Sequence, residues 1–331
     1  MLYKTEDDSL DFIDRIRANG FQSEAIRIFH QQYSQNTLYQ SFTNALGKQN
    51  SNILSLNEIP YLPISFFKTH KVVSESSKPV ELIFESSGTT GSASSKHYVL
   101  NKETYKKTFL NGFNQFYGKP SQYTILALLP SYLERQNSSL VYMVDTLIKE
   151  SNQSKNGFYL HNYAQLAQTI LALEAERKST LLLGVTYALI DFAKQYSMPL
   201  QHTIVMETGG MKGRHEEWTR QQVHNYLKEQ WQIDTIHSEY GMTELLSQAY
   251  SNGDGIFYPC DTMKVLVRDI NDPLYIKETG TGCLNIIDLS NINSCSFIAT
   301  EDLGTVHPDG SFEVLGRIDH SVLRGCSLMV L

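Results

Sequence analysis

Three short stretches of this chain set together side chains that can do chemistry. The first, SSGTTG, gathers Ser87, Gly88, Thr89, Thr90 and Gly91, and Lys96 is the first cation beyond it. Glycines let backbone N–H groups approach an oxyanion closely, and hydroxyls add further donors. A solvated linker has the same composition, but this stretch follows the strand-like run VELIFE and precedes the helix-like KETYKKTFLNGFNQFY. Ligands of α/β sheets gather at loops in that position, so we read an oxyanion-binding loop. The Walker spacing GxxxxGK[ST] cannot be placed on it, which excludes a P-loop.

The second stretch, SEYGMTE, offers the ring of Tyr240, the hydroxyl of Thr243 and the carboxylate of Glu244. A ring can stack on a base, a hydroxyl can bind phosphate and a carboxylate can hold Mg²⁺; an ordinary strand-to-helix turn fits the same letters. The third is ATEDLG, followed by LGRIDHSVLRGC. Asp302 at a strand end can accept hydrogen bonds from ribose hydroxyls, and Arg317 can donate to ribose or phosphate. Two surface charges on adjacent strands would look alike.

The elements that must position these groups fall into three parts. Residues 1–80 read as a helical N-terminal segment; SEAIRIFHQQY has Ser23 as an N-cap and Ile26, Phe29 and Tyr33 on one face. Residues 81–255 alternate strand-like runs (YTILALLP, STLLLGV, HTIVMETGG, DTIHSEYG) with helical ones, the pattern of an α/β body. Residues 256–331 read as a β-rich lobe, with KVLVRDI, CLNIIDL, SFIAT and SFEVLGRI as strands between turns.

Composition narrows the function classes. The chain has 331 residues, 41% of them hydrophobic, which suffices for a sizeable core. A net charge of −7 implies no basic surface for nucleic acid. The longest apolar runs are too short and interrupted to span a bilayer, and the acidic start MLYKTEDD lacks a signal segment. Cys260, Cys283, Cys295 and Cys326 show no metal-ligand spacing, and scattered cysteines suggest reduced thiols, so a cytoplasmic protein is expected. His97, His215 and His237 read as structural or solvent-facing, with His237 able to line a substrate pocket.

Taken in order, the motifs resemble those of the adenylate-forming superfamily: a phosphate loop, an adenine and magnesium motif, a ribose aspartate and a hinge motif. Within it the chain is similar to the LuxE-type acyl-protein synthetases, on its length, the wording ETGGMKGR and the RGCSL ending. The resemblance implies the fold of the superfamily's N-terminal domain, with the mobile C-terminal domain missing because the sequence stops 12 residues after Asp319. It implies ATP and Mg²⁺ as cofactors, Glu244 as metal ligand, Thr243 at the α-phosphate, and Tyr240 with Gly241 at adenine. Thr208, Gly209 and Gly210 form the other wall of that pocket, and Asp302 with Arg317 hold ribose.

It further implies a fatty or other carboxylic acid as substrate, Cys326 as the acyl-carrying nucleophile, and an acyl-accepting partner such as an acyl-CoA reductase. Lys96 lies farther past Gly91 than the family's loop lysine does; Lys96, Lys212 and Arg214 are the candidates for neutralising charge. Two other readings stay open: an acyl-CoA ligase of the phenylacetate-CoA ligase type, and a non-catalytic nucleotide-binding subunit.

Overall fold

A computed structural model describes residues 12–48, 53–74, 79–86, 94–130, 137–209 and 218–318. Three helices open it: α1 (Phe12–Asn19), α2 (Phe21–Gln35) and α3 (Thr37–Ala45). The helix α2 buries Ala25, Ile28, Phe29 and Gln32, a spacing that keeps one helical face inward. It starts at Phe21, so Ser23 lies inside its first turn instead of capping it, and Ile26 and Tyr33 flank the buried stripe. The caps that form are side-chain ones elsewhere: Asn36 accepts from the Tyr39 amide to start α3.

The chain then forms β1 (Leu62–Pro63), the short α4 (Phe66–Thr69), β2 (Leu82–Glu85) and β3 (Lys96–Val99). The VELIFE run does not enter the main sheet. It pairs antiparallel with β3, Glu85 opposite Lys96, as a separate two-stranded ladder that ends at both sides of the glycine-rich stretch. The KHYV strand was not evident in the sequence.

Alternation begins with α5 (Lys102–Tyr117), capped by Asn101, and β4 (Thr124–Leu128). It runs on through α6 (Ser139–Ser151), β5 (Gly157–Phe158), α7 (Tyr163–Ala175), β6 (Thr180–Val185), α8 (Thr186–Gln195), β7 (Thr203–Thr208), α9 (Arg220–Trp231) and β8 (His237–Tyr240). The strands β5, β4, β6, β7 and β8 lie side by side and parallel. Every residue of β4 and β6 is buried, which is why their sequences are continuous apolar runs without alternation.

The remaining strands are β9 (Ala249–Ser251), β10 (Ile256–Pro259), β11 (Met263–Arg268), β12 (Ile276–Lys277), β13 (Gly280–Asp288), β14 (Phe297–Val306) and β15 (Phe312–Arg317). They extend the same sheet in antiparallel fashion, in the order β8-β9-β10-β15-β14-β13-β11-β12, with β1 added parallel to β14. Two hydrophobic cores result. One holds Phe109, Phe113, Leu126, Leu182, Val205 and Trp231 between the parallel strands and their helices. The other holds Phe29, Tyr39, Leu62, Ile286, Phe297 and Phe312, so the opening helices pack on the antiparallel strands. Around Phe297 the rings of Phe29, Tyr39 and Tyr61 stand 6.1 to 6.3 Å away.

Those helices also hold a loop. Gln32 donates to the carbonyls of Asn291 and Ile292, and Asn36 to that of Ser294. Residues 291–296 are thereby fixed before they reach the site. Among the described residues no helix is long and apolar enough to cross a membrane.

Candidate functional site

The site is built where β7 and β8 end. Thr208 and Glu239 are register partners there, and Gly209 follows with φ 73°, a left-handed conformation that glycine adopts without strain. The face towards α9 is a buried polar cluster. Glu207 accepts from His224 at 3.0 Å, Ser238 at 3.1 Å and Thr186 at 2.8 Å, and the Thr186 hydroxyl also lies 3.1 Å from the Gly209 carbonyl oxygen. Burial alone would raise the Glu207 carboxyl, but the bond and charge of His224, with Arg220 behind it, hold it below the ordinary value.

On the other side of Tyr240 lies Asp302, from β14. The Tyr240 hydroxyl donates to Asp302 Oδ2 at 2.8 Å, and Arg317 Nε donates to Oδ1 at 3.0 Å. Asp302 and Arg317 are direct cross-strand partners of β14 and β15. The Asp302 side chain is 7% exposed and that of Arg317 76%, so a guanidinium at the surface partners a buried carboxylate. The Tyr240 ring packs against Phe257 and Phe312, with centroids 5.8 and 5.3 Å away.

After Tyr240 the chain leaves the sheet in an irregular turn whose backbone is held by side chains from elsewhere. His97 contacts the Thr243 carbonyl at 2.9 Å, Asn291 donates to the Glu244 carbonyl at 2.8 Å, and Asp288 accepts from the amides of Leu246 and Ser247 at 2.7 and 3.0 Å. Glu244 is buried. Burial raises its carboxyl, partly countered by a hydrogen bond from Ser95 and by the charges of Arg317 and Lys68. Ser95 and Ser86 close the β2–β3 ladder, with the Ser95 amide donating to Ser86 Oγ at 2.9 Å. Glu244 therefore stands at the base of the glycine-rich stretch.

Tyr240, Thr243, Glu244, Asp302 and Arg317 are thus drawn to one region, with Thr208, Gly209 and Gly241 at the adjoining strand ends. Lys96 is half-exposed and pairs with Glu85 at 3.4 Å, on the face of β3 opposite His97. His237 turns to the α5 side, 3.1 Å from the Tyr117 hydroxyl, and burial lowers its basicity. Ser87, Gly88, Thr89, Thr90, Gly91, Gly210, Lys212, Arg214, His215 and Cys326 lie outside the described residues.

The residues present fit a nucleotide with a divalent cation. A Cβ on Gly241 would stand 2.5 Å from Glu239 Oε1, so a larger residue there would have to displace the Glu239 carboxylate. Glu244 makes no ion pair among the described residues, and a lone hard oxygen donor is what Mg²⁺ takes when nucleotide phosphates supply the other ligands.

Sequence reasoning missed Asn291, Asp288 and Glu239. The signal for Asp288 and Asn291 was the polar run DLSN at the end of a strand, which reads as a plain turn, and Glu239 sits inside the SEYGMTE stretch without a role of its own there.

The family model described as "Acyl-protein synthetase, LuxE" matches residues 7–331. No curated protein sequence matches the chain. Among solved structures, ATP-bound MatB from Rhodopseudomonas palustris aligns with a TM-score of 0.53 at 17% identity, over 74% of this chain and 49% of that one. The O-succinylbenzoate coenzyme A synthetase MenE from Bacillus subtilis, in complex with ATP and magnesium ion, aligns at 0.52 and 13% identity, over 73% and 51%. At such identities these likenesses show the fold: that of the N-terminal domain of adenylate-forming enzymes. The chain spans about half the length of the structures it matches.

Proposed function

This chain belongs to the LuxE acyl-protein synthetase family, and we propose that it activates a fatty or other carboxylic acid with ATP and carries the acyl group on its own cysteine. The observation that supports this most directly is the meeting of Tyr240, Asp302 and Arg317 at the end of β8, beside the buried Glu244. Those groups come from distant parts of the chain and have the donors and acceptors that a ribonucleotide needs.

In the first step an oxygen of the substrate carboxylate attacks the α-phosphorus of ATP. The bond to the bridging oxygen breaks, and pyrophosphate leaves with the electron pair. Asp302 keeps free lone pairs after accepting one bond at each oxygen, enough for ribose hydroxyls. Arg317 reaches from the surface to ribose or phosphate, and Thr243 turns its hydroxyl to the α-phosphate. The hydroxyls and amides of Ser87 to Gly91 hold the β- and γ-phosphates. Glu244 would hold Mg²⁺, which would supply charge neutralisation at the phosphates. Thr208, Gly209 and Gly210 on one side and Tyr240 with Gly241 on the other enclose adenine.

In the second step the Cys326 thiolate attacks the acyl carbon, the bond to the phosphate oxygen breaks and AMP leaves. The thioester then passes to a partner that processes acyl groups, of the acyl-CoA reductase kind.

Carboxylate-dependent exchange of pyrophosphate into ATP tests the first step. Incubation with ATP, Mg²⁺ and radiolabelled fatty acids, followed by a denaturing gel and thiol cleavage, tests the second. A labelled, hydroxylamine-sensitive protein band is expected. Nucleotide binding without exchange would leave only a non-catalytic subunit, and acyl-CoA as sole product would point to a CoA ligase.

A further inference from the structure

Six acidic side chains are buried among the described residues: Glu24, Glu207, Glu239, Glu244, Asp288 and Asp302. Five have an evident reason to be there. Glu24 pairs with Arg27, Glu207 with His224, and Asp302 with Arg317. Asp288 accepts from two amides of the Glu244 turn and from the Ser247 hydroxyl, and Glu244 is the carboxylate proposed for the cation. Glu239 differs from them all. It has no ion pair among the described residues, and its one hydrogen bond there comes from the Thr208 hydroxyl to Oε2.

Its position is as unusual as its isolation. The bond to Thr208 ties the carboxyl across the ends of β7 and β8, and Oε1 lies over the α-carbon of Gly241. Ligands of a parallel sheet collect at that edge. Beside it, Tyr250 is the direct cross-strand partner of Glu239, and Gln248 Cγ lies 3.7 Å from where a Gly241 Cβ would stand. Both side chains are fully buried, and both leave a polar atom without a partner, the Tyr250 hydroxyl and Gln248 Oε1. A lone carboxyl and two orphaned polar atoms, on neighbouring residues at one strand end, make a subsite with unmet hydrogen-bonding capacity. Buried acceptors left unpaired cost stability until a ligand supplies hydrogens. Burial pushes the Glu239 carboxyl up to about 7, as expected for a group lacking a cation.

We propose that Glu239, with Gln248 and Tyr250, selects acid substrates that carry a hydrogen-bond donor, an amino or hydroxyl group, in addition to the carboxylate. This rests on the adenylation reading and specifies its substrate. A plain hydrocarbon chain would leave all three groups unsatisfied, whereas a substrate amino or hydroxyl group can donate to Glu239 or Gln248 Oε1, and a hydroxyl can also accept from the Tyr250 O–H. The discrimination is strong in principle, because a site built to bond a donor rejects the analogue that lacks it.

The test compares matched acids, octanoate with 3-hydroxyoctanoate and benzoate with 4-aminobenzoate, in pyrophosphate exchange with wild type, Glu239→Gln and Glu239→Leu. Thermal melts establish that each variant is folded. The wild type is expected to favour the donor-bearing member of at least one pair by roughly tenfold or more in kcat/KM. Glu239→Leu should bring that ratio near one, and Glu239→Gln should reduce it most for the amine. A wild-type ratio at or below one in both pairs, or a ratio unchanged in a folded variant, overturns the inference. Titration calorimetry of the same four acids in the presence of AMP reads the same ratios without turnover. Exchange absent with every acid would therefore count against adenylation, while the calorimetric ratios still decide the role of Glu239.

Discussion

His97 Nδ1 lies 2.9 Å from the carbonyl oxygen of Thr243, a residue on the far side of the parallel sheet in sequence, while its Nε2 lies 2.9 Å from Asn291 Oδ1. Asn291 spends its own amide hydrogens on the Glu244 carbonyl. One buried ring thus ties the strand that follows the glycine-rich stretch to the turn carrying Thr243 and Glu244, and to the loop held by the opening helices. Both ring nitrogens face oxygens, yet burial lowers the imidazole to about 4, so at neutral pH the ring has one hydrogen to share between them. His97→Ala is expected to cost about 1–3 kcal/mol of stability, since it strands buried carbonyl oxygens. The kcat of pyrophosphate exchange should fall more than KM for ATP rises, because His97 itself makes no nucleotide contact while the placement of Thr243 and Glu244 around the reacting phosphate changes. A variant with unchanged kcat in a steady-state assay would reduce His97 to packing.

Glu244 gives the opposite dissociation of activity from stability. Its carboxyl is raised by burial, so the folded protein holds the charged form at a cost. Glu244→Gln should leave the melting temperature unchanged or higher while exchange drops by a factor on the order of 10² to 10³, as removal of one electrostatic stabiliser commonly does. Loss of folding in step with activity, read by circular dichroism, would argue for a structural carboxylate.

Arg317 can be separated from Asp302 in the same spirit. The guanidinium is largely exposed, so its pair with Asp302 contributes little to folding, about 0–1 kcal/mol. Arg317→Ala should therefore melt like wild type but raise KM for ATP by roughly tenfold, which corresponds to about 1.4 kcal/mol. Asp302→Ala should both destabilise and weaken ATP binding, because the buried Tyr240 hydroxyl loses its acceptor. Equal KM values for wild type and Arg317→Ala would remove the arginine from the nucleotide site.

The contrast between Tyr240 and His97 shows what the sequence discloses. Tyr240, Glu244, Asp302 and Arg317 stand in short local patterns at the ends of strongly apolar strands, so residue type and element end were readable together. His97, Asn291, Asp288 and Glu239 act through contacts with partners remote in the chain, and no local spacing records them. The fold divides the same way. Continuous apolar runs announced β4 and β6, whereas β3, half-buried and opening with Lys96, depends on pairing with β2 and has no pattern of its own. Ser23 looked like a cap because only its letter was visible, while the helix had already begun at Phe21.

Glu239 makes a prediction about pH. Its carboxyl, lifted to about 7 by burial against a smaller opposing effect of the Thr208 bond, holds its proton in the folded protein over a range where the unfolded chain releases it. The Thr208 hydroxyl bonds it and its charge acts on Tyr105, Tyr117 and Tyr250, none of them a cation. With more protons bound in the folded state, stability falls as pH rises from about 4.5 to 7 and levels off above. Glu239→Gln removes that loss, so its stability relative to wild type should grow across this window by up to about 1.4 kcal/mol per pH unit. Urea melts of both proteins at a series of pH values measure the difference. A constant difference from pH 4 to 8 would show that Glu239 titrates alike in the folded and unfolded protein.

The proposed acyl carrier can be tested against its competitors within the chain. Cys260, Cys283 and Cys295 are all buried, and burial raises each thiol; Cys295 reaches about 12, with its Sγ bonded to the Phe297 carbonyl. Arg268 beside Cys283 opposes the rise there without cancelling it. Thiols of that kind are poor nucleophiles at neutral pH, because the thiolate is the reacting species. The family resemblance assigns the acyl group to Cys326, two residues after Arg324, whose charge favours a thiolate. Cys326→Ser should keep carboxylate-dependent pyrophosphate exchange within about twofold of wild type, since adenylation does not use the sulfur. The same variant should lose the hydroxylamine-sensitive acyl-protein band on a denaturing gel, and Cys260→Ser, Cys283→Ser and Cys295→Ser should retain it when folded. If the band survives in Cys326→Ser and disappears in one of the other three, the carrier is that other cysteine. If it survives in all four single variants, the acyl group is not held on one unique thiol.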